Sequence, residues 1–104
     1  MNSTINTIPS IEEIVTVLNP VFVSYGINKA VLFGSYSTNT ATEKSDVDLY
    51  VDSGLRGLRF VGFIDSVKTA LGGRDVDVFD VTHIDSGSLV EKEITRTGVE
   101  IYAK

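Results

Sequence analysis

From Asp46 to Asp52 the chain alternates an acidic or tyrosine side chain with Val47, Leu49 and Val51. Successive side chains on a strand leave opposite faces. The segment therefore predicts a strand with two different faces, the aliphatic one turned into a layer of helices. Asp46 and Asp48 are two apart and leave by the same face. Val76 and Val78 alternate in the same way with Asp75, Asp77 and Phe79, which predicts another strand and sends Asp77 away from the core. If these strands are neighbours, Asp46, Asp48 and Asp77 converge. Two like charges about 4 Å apart repel by about 1 kcal/mol in bulk water and by about 4 kcal/mol at an effective dielectric of 20. Such a cluster must protonate, spread apart or hold cations. Oxygen ligands without His or Cys suit Mg²⁺ or Mn²⁺, completed by water and phosphate oxygens.

The remaining elements follow from periodicity. Ser10-Ile11-Glu12-Glu13 reads as a capping box, and Ile11, Ile14, Val15 and Leu18 share one helical face behind it. Pro20 is expected to kink or restart that helix, and Gly26 to stop it. Lys29 to Phe33 predicts a first strand. Tyr36 to Lys44 is expected to begin with a short helix before a loop. Gly54 to Gly57 predicts a loop with Arg56 and Arg59 in solvent around it. Phe60, Phe63, Ile64, Val67 and Leu71 recur at helical spacing until Gly72-Gly73, and a last helix over Leu89 to Thr97 leads to a strand from Val99 to Tyr102. Alternating helices and strands predict an α/β sandwich with helices packed on the sheet, its strand directions left open.

A chain of 104 residues supplies one core, here assigned to residues 10–104, with residues 1–9 expected to be flexible. No Cys is present, so disulfides and thiolate metal sites are excluded. The longest purely apolar run, Ala30 to Phe33, is too short to span a membrane, and the first residues do not read as a secretory signal. The expected location is the cytoplasm. A net charge of −5 argues against general nucleic-acid binding, which needs a basic patch, but not against a nucleotide whose phosphates arrive with metal ions.

Gly34-Ser35 directly follows the first strand. Gly permits a sharp turn and close approach of a phosphate, while the next amides and the Ser35 hydroxyl are donors suited to an anion. Tyr36 is a candidate either to stack on a base or to pack at a helix end. His83, the only histidine, is read as a packing or surface residue, and Glu91 and Glu93 with Lys92 and Arg96 as a mixed-charge surface. Exposed apolar helix surface would suit a homodimer or another partner.

Leu32-Phe33-Gly34-Ser35, ten further residues, then Asp46-Val47-Asp48-Leu49 resembles the signature of the polymerase-β-like nucleotidyltransferases, and within them the minimal (MNT) group. The resemblance implies a small mixed sheet and transfer of a nucleoside monophosphate from a nucleoside triphosphate to a hydroxyl. It implies that Gly34 and Ser35 hold the triphosphate, that Asp46, Asp48 and Asp77 bind Mg²⁺ or Mn²⁺, and that Asp77 helps activate the hydroxyl. Members often pair with a HEPN protein, so the expected reaction is AMP transfer from ATP, with a HEPN tyrosine as one acceptor. The family often carries Arg then Gly where this chain has Thr38 and Asn39. Loss of the Arg charge motivates the alternative of a weakly active or inactive antitoxin-like subunit that neutralises a partner by contact. Asn39 can still adopt the left-handed turn that Gly would allow.

Overall fold

The structure, a computed structural model, describes residues 8–104. Residues 1–7 of the stretch expected to be flexible lie outside the described residues, whereas Ile8 and Pro9 are half-buried and Ile8 packs against the core.

Helix α1 spans Ile11–Tyr25. Its start is the expected capping box: Glu13 N donates to Ser10 Oγ at 3.1 Å, and Ser10 N donates to Glu13 Oε1 at 2.9 Å. Pro20 neither breaks nor restarts it; the helix runs through as one element. Ile14, Leu18 and Phe22 are fully buried along one stripe, and that packing offsets the loss of one backbone donor at the exposed Pro20. Gly26, at φ 68°, closes the helix with its N–H on the Phe22 and Val23 carbonyls.

Strand β1 (Lys29–Phe33) follows, then a one-turn 3-10 helix at Gly34–Tyr36, strand β2 (Val47–Asp52), helix α2 (Gly57–Ala70) and strand β3 (Val76–Asp80). A 3-10 turn at Val81–His83, helix α3 (Leu89–Thr97) and strand β4 (Val99–Ala103) complete the chain. The expected short helix after the glycine turn thus begins at Gly34 and is a single 3-10 turn. Arg59 is not in a loop: it sits in the first turn of α2, its guanidinium 5.2 Å from the centre of the Tyr25 ring.

The sheet order is β3-β2-β1-β4. β1 pairs antiparallel with β2 and β4, while β2 and β3 are parallel and joined through α2, so the sheet is mixed. Val47, Leu49 and Val51 are fully buried and join Ala30 and Leu32 against α1 and α2. Phe63 meets Phe22 at 6.2 Å and Tyr25 at 5.5 Å between ring centres, tying the two helices together. Val31 and Phe33 face the other side of the sheet and are also buried. There Phe33 lies 5.9 Å from Phe79, and α3 packs on β1. This double cover explains why β1 reads as apolar on both faces. Leu58 and Val61 remain exposed on α2. Among the described residues no helix is long and apolar enough to cross a membrane.

The far ends of β2 and β3 are locked by Asp80, which is 3% exposed. Its carboxylate accepts from Ser53 N at 3.0 Å and Ser53 Oγ at 2.5 Å, and from Thr82 N at 3.1 Å and Thr82 Oγ1 at 2.6 Å. Burial alone would raise its pKa, but these hydrogen bonds together hold it below the ordinary carboxylate value. Asp80→Ala is expected to cost about 1–3 kcal/mol, because the Ser53 and Thr82 donors lose their acceptor; urea denaturation at neutral pH measures it.

Candidate functional site

The parallel β2–β3 register sets Asp48 directly opposite Asp77, and the antiparallel β1–β2 register sets Phe33 opposite Asp48. The turn that leaves β1 therefore begins beside the carboxylate. Asp46 stands one residue before β2 rather than within it, and Val47 N, bonded to Asp75 O at 3.0 Å, fixes that approach. All three predicted carboxylates are thus brought to one end of the sheet, on the face away from α1 and α2.

Their mutual charge registers in their acidity. Burial first, then the charges of Asp77, Asp46 and Glu93, push the Asp48 carboxyl from 3.8 up to about 6. Asp77 is raised by partial burial, then by the charge of Asp46, a side-chain hydrogen bond with Asp46, and the charge of Asp75. Asp75 itself is drawn aside by Lys68 at 3.6 Å. Glu93, assigned from sequence to a surface face, is the third acid facing Asp48. Its partner Arg96 donates to both carboxylate oxygens, at 2.7 and 2.8 Å, and offsets part of that charge. Only the docking of α3 reveals this, since nothing in the spacing of Glu93 points to Asp48.

Gly34 has φ 78°, and a Cβ there would collide with Asp48 Oδ2. The left-handed conformation favours glycine, and a Cβ would force the Asp48 carboxylate to turn away. Its N–H donates to the buried Thr97 Oγ1 at 2.9 Å, and Thr97 Oγ1 in turn donates to Glu93 O at 2.8 Å. The anion cradle expected at Gly34-Ser35 is therefore narrower than the sequence suggests: the Gly34 amide is committed to α3, and the Ser35 and Tyr36 amides with the Ser35 hydroxyl remain. Thr97 was not a sequence candidate, since its partner lies 63 residues away.

The loop after the turn is closed by its own hydroxyls. Ser37 Oγ donates to Gly34 O at 2.7 Å, Thr38 Oγ1 meets Thr40 Oγ1 at 2.9 Å, and Thr40 N donates to Ser35 O at 2.9 Å. Asn39 takes φ 62°, the left-handed conformation expected of it. Arg56 caps the start of α2 without a side-chain bond, and the His83 ring packs edge-on to Phe60 at 5.8 Å. Neither belongs to the carboxylate cluster.

The oxygen-only set of Asp46, Asp48 and Asp77 fits a hard divalent cation, whose charge would relieve the repulsion that raises Asp48 and Asp77. As the side chains stand, no group of three or more His, Asp or Glu among the described residues is already arranged to hold one.

A mixed sheet with a glycine turn set against a strand-borne aspartate, and a second aspartate opposite on a parallel neighbour, defines the nucleotidyltransferase class. Residues 16–104 match the family described as polymerase beta, nucleotidyltransferase, and the chain belongs to that family. It is 38% identical over 45 residues to a Methanocaldococcus jannaschii protein provisionally named a protein adenylyltransferase. That match covers 43% of this chain and 48% of the relative, so the chain spans about half the length of the curated relative it matches. Among solved structures, a toxin–antitoxin with AMP-PNP superposes with a TM-score of 0.65 at 24% identity, over 92% of this chain and 75% of the other. The structure of a tri-AMPylated HEPN toxin of Shewanella oneidensis in complex with MNT antitoxin gives 0.56 at 23% identity, over 90% and 70%. A Sulfolobus solfataricus protein described as a nucleotidyltransferase gives 0.52 at 16% identity, over 90% and 80%. These three likenesses are of fold.

Because the folded-state pKa of Asp48 is raised, its contribution to stability is present below pH 3.8 and lost as pH rises to about 6. Without divalent metal, Asp48→Asn is expected to be more stable than the parent above pH 6, by about 1 kcal/mol once solvent screening is allowed for. The gain should shrink towards pH 4, and thermal melts across that range would show it. Thr97→Val, which keeps the volume and removes the acceptor, should cost about 1–3 kcal/mol. Exchange of the Gly34 amide, followed by NMR, should accelerate in that variant and be restored by Thr97→Ser.

Proposed function

We propose that this chain is a divalent-metal-dependent nucleotidyltransferase domain that transfers AMP from ATP to a hydroxyl, with a tyrosine of a HEPN-type partner as the acceptor. The observation that carries this reading is the direct pairing of Asp48 with Asp77 across β2 and β3, with Gly34 pressed against Asp48. The curated relative, named for adenylyl transfer to protein, and the fold neighbours that are HEPN–MNT complexes support the choice of AMP and of acceptor.

In this reading Asp46, Asp48 and Asp77 hold Mg²⁺ or Mn²⁺, which supplies charge neutralisation on the phosphates. The Ser35 hydroxyl and the following amides bind triphosphate oxygens, and Gly34 leaves room for that approach. The acceptor oxygen bonds to the α-phosphorus as the bond to the β-phosphate oxygen breaks, releasing pyrophosphate. Asp77, solvent-exposed and opposite Asp48, takes up the hydroxyl proton. The work of the protein is positioning and electrostatics.

With α-labelled ATP, Mg²⁺ and a HEPN-type protein encoded beside it, the chain should label that protein. Asp46→Ala and Asp48→Ala should each reduce labelling by about 100-fold or more. Full labelling in both variants would overturn the assignment. A second reading, neutralisation of the partner by contact alone, is favoured by one observation: the Thr38–Thr40 loop closes on itself without the usual Arg. It requires that Asp48→Ala still neutralise the partner fully.

A further inference from the structure

At the end of the sheet opposite the carboxylates, a cavity of about 510 Å³ opens between the start of α2 and the turn that follows β3. Leu55 and Phe60, both half-buried, give it apolar surface, and the exposed Arg56, Thr82 and His83 carry polar groups around it. The one acid that lines it, Asp80, is turned to Ser53 and Thr82 and already accepts four hydrogen bonds. Arg56 has no ion-pair or hydrogen-bond partner for its side chain among the described residues. Next to the cavity on α2, Leu58 is 88% exposed and Val61 58%, and their spacing puts them on one helical face.

We propose that this cavity and the adjoining Leu58–Val61 ridge form a docking surface for an acidic segment of a partner protein, in which carboxylates alternate with large apolar side chains. One apolar side chain of that segment fills the cavity against Leu55 and Phe60, and a carboxylate beside it pairs with the Arg56 guanidinium. Leu58 and Val61 lie outside the cavity lining, so a small ligand confined there leaves both in water, whereas a polypeptide covers them. Charge sets the sign of the partner. The chain carries a net charge of −5, which repels an acidic partner elsewhere, while Arg56, Arg59 and His83 gather around this surface. Asp65, two turns beyond Leu58 on α2, and Asp85, past His83, mark where acidic surface resumes. The surface lies at the far ends of β2 and β3 from Asp48 and Asp77, so a docked partner leaves the carboxylates open. This inference does not depend on the nucleotide reading.

The probe is a fluorescein-labelled peptide in which Glu alternates with Leu and Phe. Added to the full chain, it should raise fluorescence anisotropy and shift the NMR amide signals of Leu55, Arg56, Leu58, Val61 and His83. The same peptide with Lys in place of every Glu should leave those signals unmoved. Arg56→Gln should weaken the acidic peptide about tenfold, the effect of one charge-assisted pair. Leu58→Ser, at a position too exposed to disturb the fold, should weaken it about threefold or more. Asp48→Asn should leave its affinity unchanged, which separates this surface from the carboxylate site. No binding, equal shifts with the Lys peptide, or unchanged affinity in both the Arg56 and Leu58 variants would overturn the proposal. Phenylacetate binding as tightly as the peptide would give the cavity to a small anion instead and overturn it too. A dimer in sedimentation that Leu58→Ser dissolves would give the surface to a second copy, with the same consequence.

Discussion

The close approach of Gly34 to the Asp48 carboxylate is the contact on which the rest of this molecule depends. It goes with a left-handed turn straight out of β1, which favours glycine, and a Cβ there would displace the carboxylate. The antiparallel register brings the two together, and the bond from Gly34 N to Thr97 Oγ1 holds the turn from the other side. α3 is thereby more than cover for Val31 and Phe33. It carries the acceptor that fixes the turn, and it brings Glu93 towards a carboxylate that already faces two others.

Placing acids together at one end of a sheet is unfavourable, and the opposite face offsets it. Val47, Leu49 and Val51 are buried completely on the same strand that exposes the acids, and Phe22, Phe63 and Val67 close over them. At the far ends of β2 and β3, Asp80 shows the contrasting case. A single carboxylate with four donors is held charged at 3% exposure, whereas Asp48, with acids for neighbours, is pushed towards neutrality. Sequence alone makes these aspartates look alike, each following or preceding an aliphatic residue in a strand. Their surroundings separate a locking residue from a group poised for a cation.

The alternation through β2 and β3 made the strands and the faces of Asp48 and Asp77 legible, because a period of two leaves each side chain only one side to occupy. The Ser10–Glu13 capping box and the Gly26 stop were legible for the same reason: they are local, satisfied within a few residues. Pro20 does not restart the helix, since tertiary burial of Ile14, Leu18 and Phe22 overrides a local preference. Arg59 was read as a solvated loop charge because its partner, Tyr25, lies on another helix.

What the sequence determined by itself was the set of elements, the two-faced strands and the Gly-Ser turn ahead of the Asp-x-Asp pair. The tertiary structure alone decided that β2 and β3 run parallel in a register that opposes Asp48 to Asp77, that Thr97 takes the Gly34 amide, and that Arg56, Phe60 and His83 line one cavity. These are contacts between residues far apart in the chain. No local period encodes them, and they exist only once the sheet and its helices have packed.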